Sequence, residues 1–253
     1  MVALAPANGI VTLTSDFGSC DPYVAQMKGA VLCAYRRAQL VDVGHDIAPQ
    51  DLVAARFFVA ALRGRFPPGT VHVVVVDPGV GTDRRALAVA SGGCYWLAPD
   101  NGILSPVLVD QDALALAIDL EALGVVPGSN TFHGRDVFAP LAGRLAGGSM
   151  GFRSLGLPVD DAVRAEVAVT SRVVHVDRFG NLLTDVPLRG SDPAPTSVRI
   201  AGQPVPFVRC YAEAAPGSLL ALRSSFDTLE IAVRDGNAER LLGVGVGVRV
   251  DCH

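Results

Sequence analysis

Apolar positions along the chain follow two regimes. Through the first 165 residues, short continuous apolar runs alternate with stretches of helical spacing. Gly9 to Thr14 predicts a strand that runs into Ser15-Asp16-Phe17-Gly18. Asp21-Pro22 then predicts an N-cap with proline at the first helical position, and Val24, Met27, Val31 and Ala34 recur after it at helical spacing. Leu40 to Val43 predicts a short strand. Pro49 to Leu62 predicts a helix with Leu52, Ala55, Phe58, Val59 and Leu62 on one face, stopped by Pro67-Pro68-Gly69. Val73 to Val76 is a continuous apolar run, which suits a strand buried on both faces. It ends at Asp77, where Pro78, Gly79 and Gly81 force a loop that carries Arg84 and Arg85.

Ala86 to Ala90 and Cys94 to Leu97 predict two strands joined by Ser91-Gly92-Gly93. A second strand-end loop, Pro99-Asp100-Asn101-Gly102, leads into a helix from about Ile103, and Val137 to Leu145 predicts a further helix. Alternating β and α elements imply a largely parallel sheet with helices on both faces. Near residue 150 the turn formers Gly147, Gly148, Gly151 and Pro158 cluster, and beyond Glu166 the chain is rich in strands and turns. Val173–Val176, Leu182–Thr184, Ser197–Ile200, Leu219–Leu222, Leu229–Val233 and Val244–Val250 all predict strands. The expected architecture is an α/β domain over residues 1–165 with a mostly parallel central sheet. An all-β, barrel-like domain is expected over 166–253.

Composition narrows the class. Half of the 253 residues are hydrophobic and 18% are charged, as in a globular protein. The net charge of −4 and the lack of a basic tract argue against nucleic acid as a partner. No apolar run approaches the roughly 18 residues that span a bilayer, so no membrane partner is expected, and MVALAPANGIV has neither the basic start nor the apolar centre of a signal peptide. Five scattered cysteines without a CxxC pair fit reduced thiols and a cytoplasmic location.

Candidate chemistry lies in six loops. Asp16, at a strand end, can accept two hydrogen bonds from a ribose diol. Asp77 with Arg84 suits a ligand site at the carboxyl end of a buried strand, or a capped turn beside a solvated arginine. Asp100-Asn101-Gly102 suits a turn. His133, in Phe132-His133-Gly134-Arg135-Asp136, suits a base, a water-positioning group, a metal ligand or a structural histidine. Asp177-Arg178-Phe179-Gly180-Asn181 lies in the β-rich half, as do Ser224-Ser225-Phe226 and Arg234-Asp235-Gly236-Asn237-Ala238. HxxxH, HExxH, Walker A and GxSxG patterns are missing, which removes the commonest zinc, nucleotide-hydrolase and serine-hydrolase readings.

Taken in order, TSDFG, VDVGHDI, VVVDPGVGT-RR, APDNG, TFHGRDVFAP, DRFGN and LEIAV resemble the S-adenosyl-L-methionine hydroxide adenosyltransferase family, which also contains the fluorinase and chlorinase. The resemblance covers Thr14 to Ala238. It implies an N-terminal α/β domain, a C-terminal β-barrel and a homotrimer whose sites lie between subunits. It also implies attack of water or hydroxide on C5′ of S-adenosylmethionine, giving adenosine and methionine. The cofactor is then itself the substrate, and no metal is needed. The hydrolase branch's Asp-Arg-His set falls on Asp77, Arg84 and His133. Substrate contacts fall on Asp16 (ribose), Asp177 and Ser225 (the methionine ends), Tyr211 (stacked on adenine) and Asn181, Arg234 and Ala238 (the adenine edge). Two positions depart from the family: Asp227-Thr228 stands where Gly-Tyr is usual, and Gln50 where the fluorinase has a tryptophan. The rival readings are a chlorinase-type halogenase and a non-catalytic adenosine or S-adenosylmethionine binding module.

Overall fold

The computed structural model describes residues 4–165 and 169–253. The chain divides into two compact units, Met1–Val167 and Ala168–His253. The boundary read from the sequence, between residues 165 and 166, abuts residues 166–168, which lie outside the described ones.

In the first unit the elements are β1 (Ile10–Ser15), α1 (Tyr23–Ala34), β2 (Gln39–Gly44), α2 (Leu52–Leu62), β3 (Val71–Val75), β4 (Ala86–Ser91), β5 (Cys94–Pro99), α3 (Ser105–Leu108), β6 (Leu114–Ile118), α4 (Ala139–Ala146) and β7 (Gly156–Pro158). One seven-stranded sheet has the order β2-β1-β3-β5-β4-β6-β7. β2, β1, β3 and β5 pair in parallel, while β4, β6 and β7 join by antiparallel ladders, so five of the seven strands run one way. Both faces are covered, which is why β3 reads as an unbroken apolar run. Val71, Val73 and Val75 face α1 and α4, whereas Val74 and Val76 face α2 and α3.

The differences from expectation have local causes. Pro22, not Asp21, occupies the cap position of α1. α2 starts at Leu52 because Asp51 accepts from the amides of Val53 and Ala54, which leaves Pro49 and Gln50 outside the helix. The helix expected from Ile103 is a single turn, and β6, on the apolar run Leu114–Ile118, and β7 are strands that the sequence reading did not name.

In the second unit the elements are β8 (Val173–Val176), β9 (Leu182–Pro187), β10 (Val198–Ile200), β11 (Gln203–Pro204), β12 (Leu219–Arg223), β13 (Thr228–Val233), α5 (Ala238–Leu242) and β14 (Val250–Cys252). They form antiparallel sheets in the orders β11-β10-β14 and β12-β13-β9-β8. A bridge between Arg172 and Arg249 joins β14 to β8, and one between Phe207 and Ala221 joins the segment after β11 to β12. The pairings therefore close on themselves in a barrel-like ring around Leu182, Leu229 and Ile231. The strand expected over Val244–Val250 is instead irregular for most of its length, with a turn at Val246 and Gly247. Gly243 and Gly247 take φ +65° and +90°, and only Val250 enters β14.

His72, near the start of β3, is fully buried, stacks on Trp96 at 4.1 Å and sits 2.8 Å from Thr12 Oγ1 through Nδ1. Burial pushes its pKa from 6.5 down to about 3. The unfolded chain then binds a proton that the native state refuses, so stability is full above pH 6.5 and drains away as the pH falls towards 3. One such proton contributes a slope of up to about 1.4 kcal/mol per pH unit. Urea unfolding of His72→Leu between pH 6.5 and about 5, still above most carboxylates, should show that slope removed. An unchanged slope would mean that His72 is not the group responsible.

Candidate active site

Ser15 pairs with Val75 in parallel register, so Asp16 and Asp77 leave neighbouring strands at the same carboxyl edge of the sheet. Open α/β sheets place their ligands at such an edge. After Asp77 the chain turns through Gly81 at φ +80°, where a Cβ would come within 2.7 Å of the Asn130 carbonyl. That turn returns Arg84 to Asp77. Arg84 Nε donates to Asp77 Oδ1 at 2.8 Å, and Nη2 donates to Oδ2. The two side chains are 9% and 5% exposed.

The same Nη2 lies 2.9 Å from His133 Nδ1. His133 opens a π-helical turn, Gly134–Phe138, that runs directly into α4. A guanidinium has only donors, so Nδ1 must accept and the ring proton sits on Nε2. The electrostatics agree. Burial, then the Arg84 charge, holds the His133 pKa below its ordinary value, outweighing the pull of Asp77 and Asp136. The site thus presents a carboxylate and a neutral imidazole with one outward N–H.

These groups edge a cavity of about 640 Å³ whose lining includes Asp16, Gln50, Asp77 and His133. Arg84 is not part of the lining; it holds both of its partners from behind. Phe17, Tyr23 and Phe132 form an aromatic wall, packed ring edge to ring face or tilted at 5.4–5.9 Å between centroids. Asp16 receives the Gln50 amide N–H on Oδ2 at 2.8 Å. That amide is aimed by a left-handed Gln50 backbone, φ +65°.

In the second unit, Asp177 Oδ1 accepts from the amides of Phe179 and Asn181, and Oδ2 accepts from the Asn181 side chain. A cavity of about 420 Å³ is lined by Phe179, Asn181, Tyr211, Val233, Asp235 and Gly236. The Tyr211 hydroxyl donates to the buried Glu230 at 2.6 Å. Arg234 fastens the Tyr211 turn from below, donating Nη1 to the carbonyls of Ala212 and Ala214 at 3.0 and 2.7 Å. Ala238 is buried at the start of α5. Ser225 is exposed on a separate loop and does not line this cavity. Close by, Asp227 takes φ +60°, a left-handed backbone that a short polar residue tolerates.

Residues 11–156 match the SAM hydroxide adenosyltransferase N-terminal domain, and residues 171–251 match the C-terminal domain of the same family. The chain belongs to this family. It is 39% identical to the (R)-S-adenosyl-L-methionine hydrolase of Thermus thermophilus, with 95% of this chain and 98% of that protein covered. The hydrolase of the same name from Salinispora tropica is 36% identical over 95% of this chain and 96% of its own length. A fluorinase from an Actinoplanes species is more distant, at 29% over 72% and 73%. Among solved structures, an uncharacterized conserved protein from Thermotoga maritima superposes with a TM-score of 0.86 at 29% identity, covering 96% of this chain and all of that one.

Within this family fold, sequence reasoning named Asp16 and Asp77 at the carboxyl edge of the sheet but not the amide clamp from Gln50. A non-glycine residue at positive φ leaves no mark in composition or spacing. It also missed Glu230 beneath Tyr211, although LEIAV contains it. The Arg84–His133 contact carries a direct consequence. In Arg84→Gln the imidazole loses a positive neighbour and faces Asp77 uncompensated, so NMR should find His133 titrating at higher pH than in the parent. A ring that titrates unchanged would leave burial as the sole cause of its shift.

Proposed function

We infer that this protein hydrolyses S-adenosyl-L-methionine to adenosine and L-methionine. The observation that carries this reading is the Asp77–Arg84–His133 constellation at the cavity edge beside Asp16. Asp16 takes the ribose hydroxyls. A water between Asp77 and His133 donates to the carboxylate and accepts from His133 Nε2–H, leaving a lone pair for C5′. The new O–C5′ bond forms as C5′–S breaks. The bond pair stays on sulfur, which becomes the neutral thioether of methionine, and the proton lost by the water passes to Asp77 and then to solvent. The sulfonium charge disappears along this path, so the apolar surface of Phe17, Tyr23 and Phe132 favours the transition state over a solvated cation.

The curated relatives carry the (R) configuration in their names, and we extend that preference for the sulfonium epimer to this chain. A halogenating reaction is disfavoured by charge. Asp77 lines the cavity and Arg84 does not, so a halide meets carboxylate oxygen first. At 4 Å and an effective dielectric of 20 that repulsion is about 4 kcal/mol before Arg84 returns part of it. Incubation with each epimer in oxygen-18 water should give adenosine labelled at O5′, faster from the (R) form. Asp77→Asn should lower kcat by roughly 10²-fold or more with KM little changed. 5′-Chloroadenosine as the main product in chloride, or tight binding without turnover, would overturn the reading in favour of a halogenase or a binding module.

The assembly we infer is a homotrimer in which Asp16, Asp77 and His133 of one subunit meet Asp177, Asn181, Tyr211, Ser225, Arg234 and Ala238 of a neighbour around one substrate molecule, in the closed cyclic arrangement common among oligomers. A cytoplasmic location suits the five unpaired thiols, and none of the described helices is long and apolar enough to cross a membrane. Mixing inactive Asp77→Asn subunits with inactive Asn181→Ala/Arg234→Ala subunits should restore activity through interfaces with one intact half from each. Mixed trimers that stay inactive, or a monomeric mass by light scattering, would reject a shared site.

A further inference from the structure

Ser15 and His45 stand side by side at the carboxyl edge, one closing β1 and the other directly following β2. The β1–β2 register slips between Leu13 and Thr14, so Thr14 pairs with Gly44 and the two strand ends are brought level. Ser15 Oγ lies 2.7 Å from His45 Nδ1, and His45 Nε2 lies 3.1 Å from Asp42 Oδ1. Lys28 Nζ reaches the other oxygen of Asp42 at 2.6 Å. The polarity of this row is fixed from its far end. A carboxylate only accepts, so the Asp42 bond places a hydrogen on His45 Nε2; in the neutral ring Nδ1 is then bare and receives the Ser15 hydroxyl. Ser15 Oγ is left with lone pairs, and the Phe17 amide approaches it at 3.4 Å. His45 also acts through its main chain, accepting the Gly18 amide on its carbonyl at 2.8 Å.

A serine, a histidine and an aspartate in a row invite comparison with a nucleophilic triad, and the geometry argues against one. Ser15 is fully buried, and nothing reacting at C5′ could reach its hydroxyl. What the row does touch is the loop Ser15-Asp16-Phe17-Gly18. His45 holds that loop before Asp16 through Ser15 and after it through Gly18, and the Gln50 amide holds the carboxylate itself.

We propose that His45, braced by Asp42 and Lys28, is a positioning residue that fixes the Asp16 carboxylate for the substrate's ribose diol. The proposal rests on the ribose role given to Asp16 above. It predicts a loss in substrate binding and little loss in chemistry, because Asp77, Arg84 and His133 are attached to other elements.

The test is a double-mutant cycle on KM and kcat. His45→Ala and the milder Ser15→Ala should each raise KM by roughly threefold to tenfold, the range expected for one hydrogen bond, with kcat within about twofold. Placed on Asp16→Ala, or measured with a 2′-deoxyribose substrate analogue, the same substitutions should add little, since the grip they support is already gone. His45→Gln, which can keep one of the two ring contacts, should recover part of the loss. Full additivity with Asp16→Ala, or a fall in kcat with KM unchanged, would overturn the proposal. If His45→Ala does not fold, Ser15→Ala decides alone. If Asp16→Ala itself leaves KM untouched, it is the ribose role of Asp16 that fails, and the cycle separates that outcome from failure of the His45 link.

Discussion

The hydrogen bond from Arg84 to His133 Nδ1 governs the proton inventory of the whole site. Because the guanidinium cannot accept, the imidazole is held in one tautomer, and burial, aided by the cationic guanidinium, favours its neutral form. The same group neutralises Asp77 from behind while leaving its oxygens at the cavity edge. One buried arginine thus sets a charged acceptor and an uncharged donor facing the same space. A lysine could not replace it, since a point charge on a flexible stem lacks the fork that reaches both carboxylate oxygens and a ring nitrogen at once.

That arrangement depends in turn on the sheet. Parallel pairing of β1 with β3, and of β1 with β2 after its one-residue slip, delivers Asp16, Asp77 and His45 to one edge. α4 supplies the fourth side by placing His133 ahead of its first turn, with Val137, Phe138 and Leu141 anchored in the core below. The polar groups of the site sit at the ends of elements that are anchored in the core, so the rigid part of the molecule and the reactive part meet at those ends. Positions fixed in this way are more accurate than positions on free loops.

Much of this was legible in the sequence. Asp77 follows an apolar run too continuous for a half-exposed strand, and Pro78-Gly79 stops it where a site would begin. The order of seven short motifs supplied the family and hence the pairing of Asp77 with Arg84 and His133. Other features left no trace. Arg84 and His133 are 49 positions apart, and their contact is a product of tertiary structure. β7 is three residues long and is carried by Gly-Leu-Pro, which no strand pattern favours. The glycine–valine alternation before Val250 imitates period two, yet Gly243 and Gly247 take backbone angles no strand allows. The pattern was read correctly as alternation and wrongly as extension, since periodicity reports side chains and not φ.

The clamp on Asp16 comes from the main chain of Gln50, while the Gln50 side chain is exposed at the cavity. The two halves of one residue therefore answer to different selective pressures. The backbone must hold a left-handed conformation, which glycine and asparagine adopt at little cost and β-branched residues resist. Within that limit the side chain can drift without releasing the Asp16 carboxylate. Position 50 is thus a place where a lineage can remodel the cavity wall, and so change what it admits, one substitution at a time and with the binding apparatus left intact.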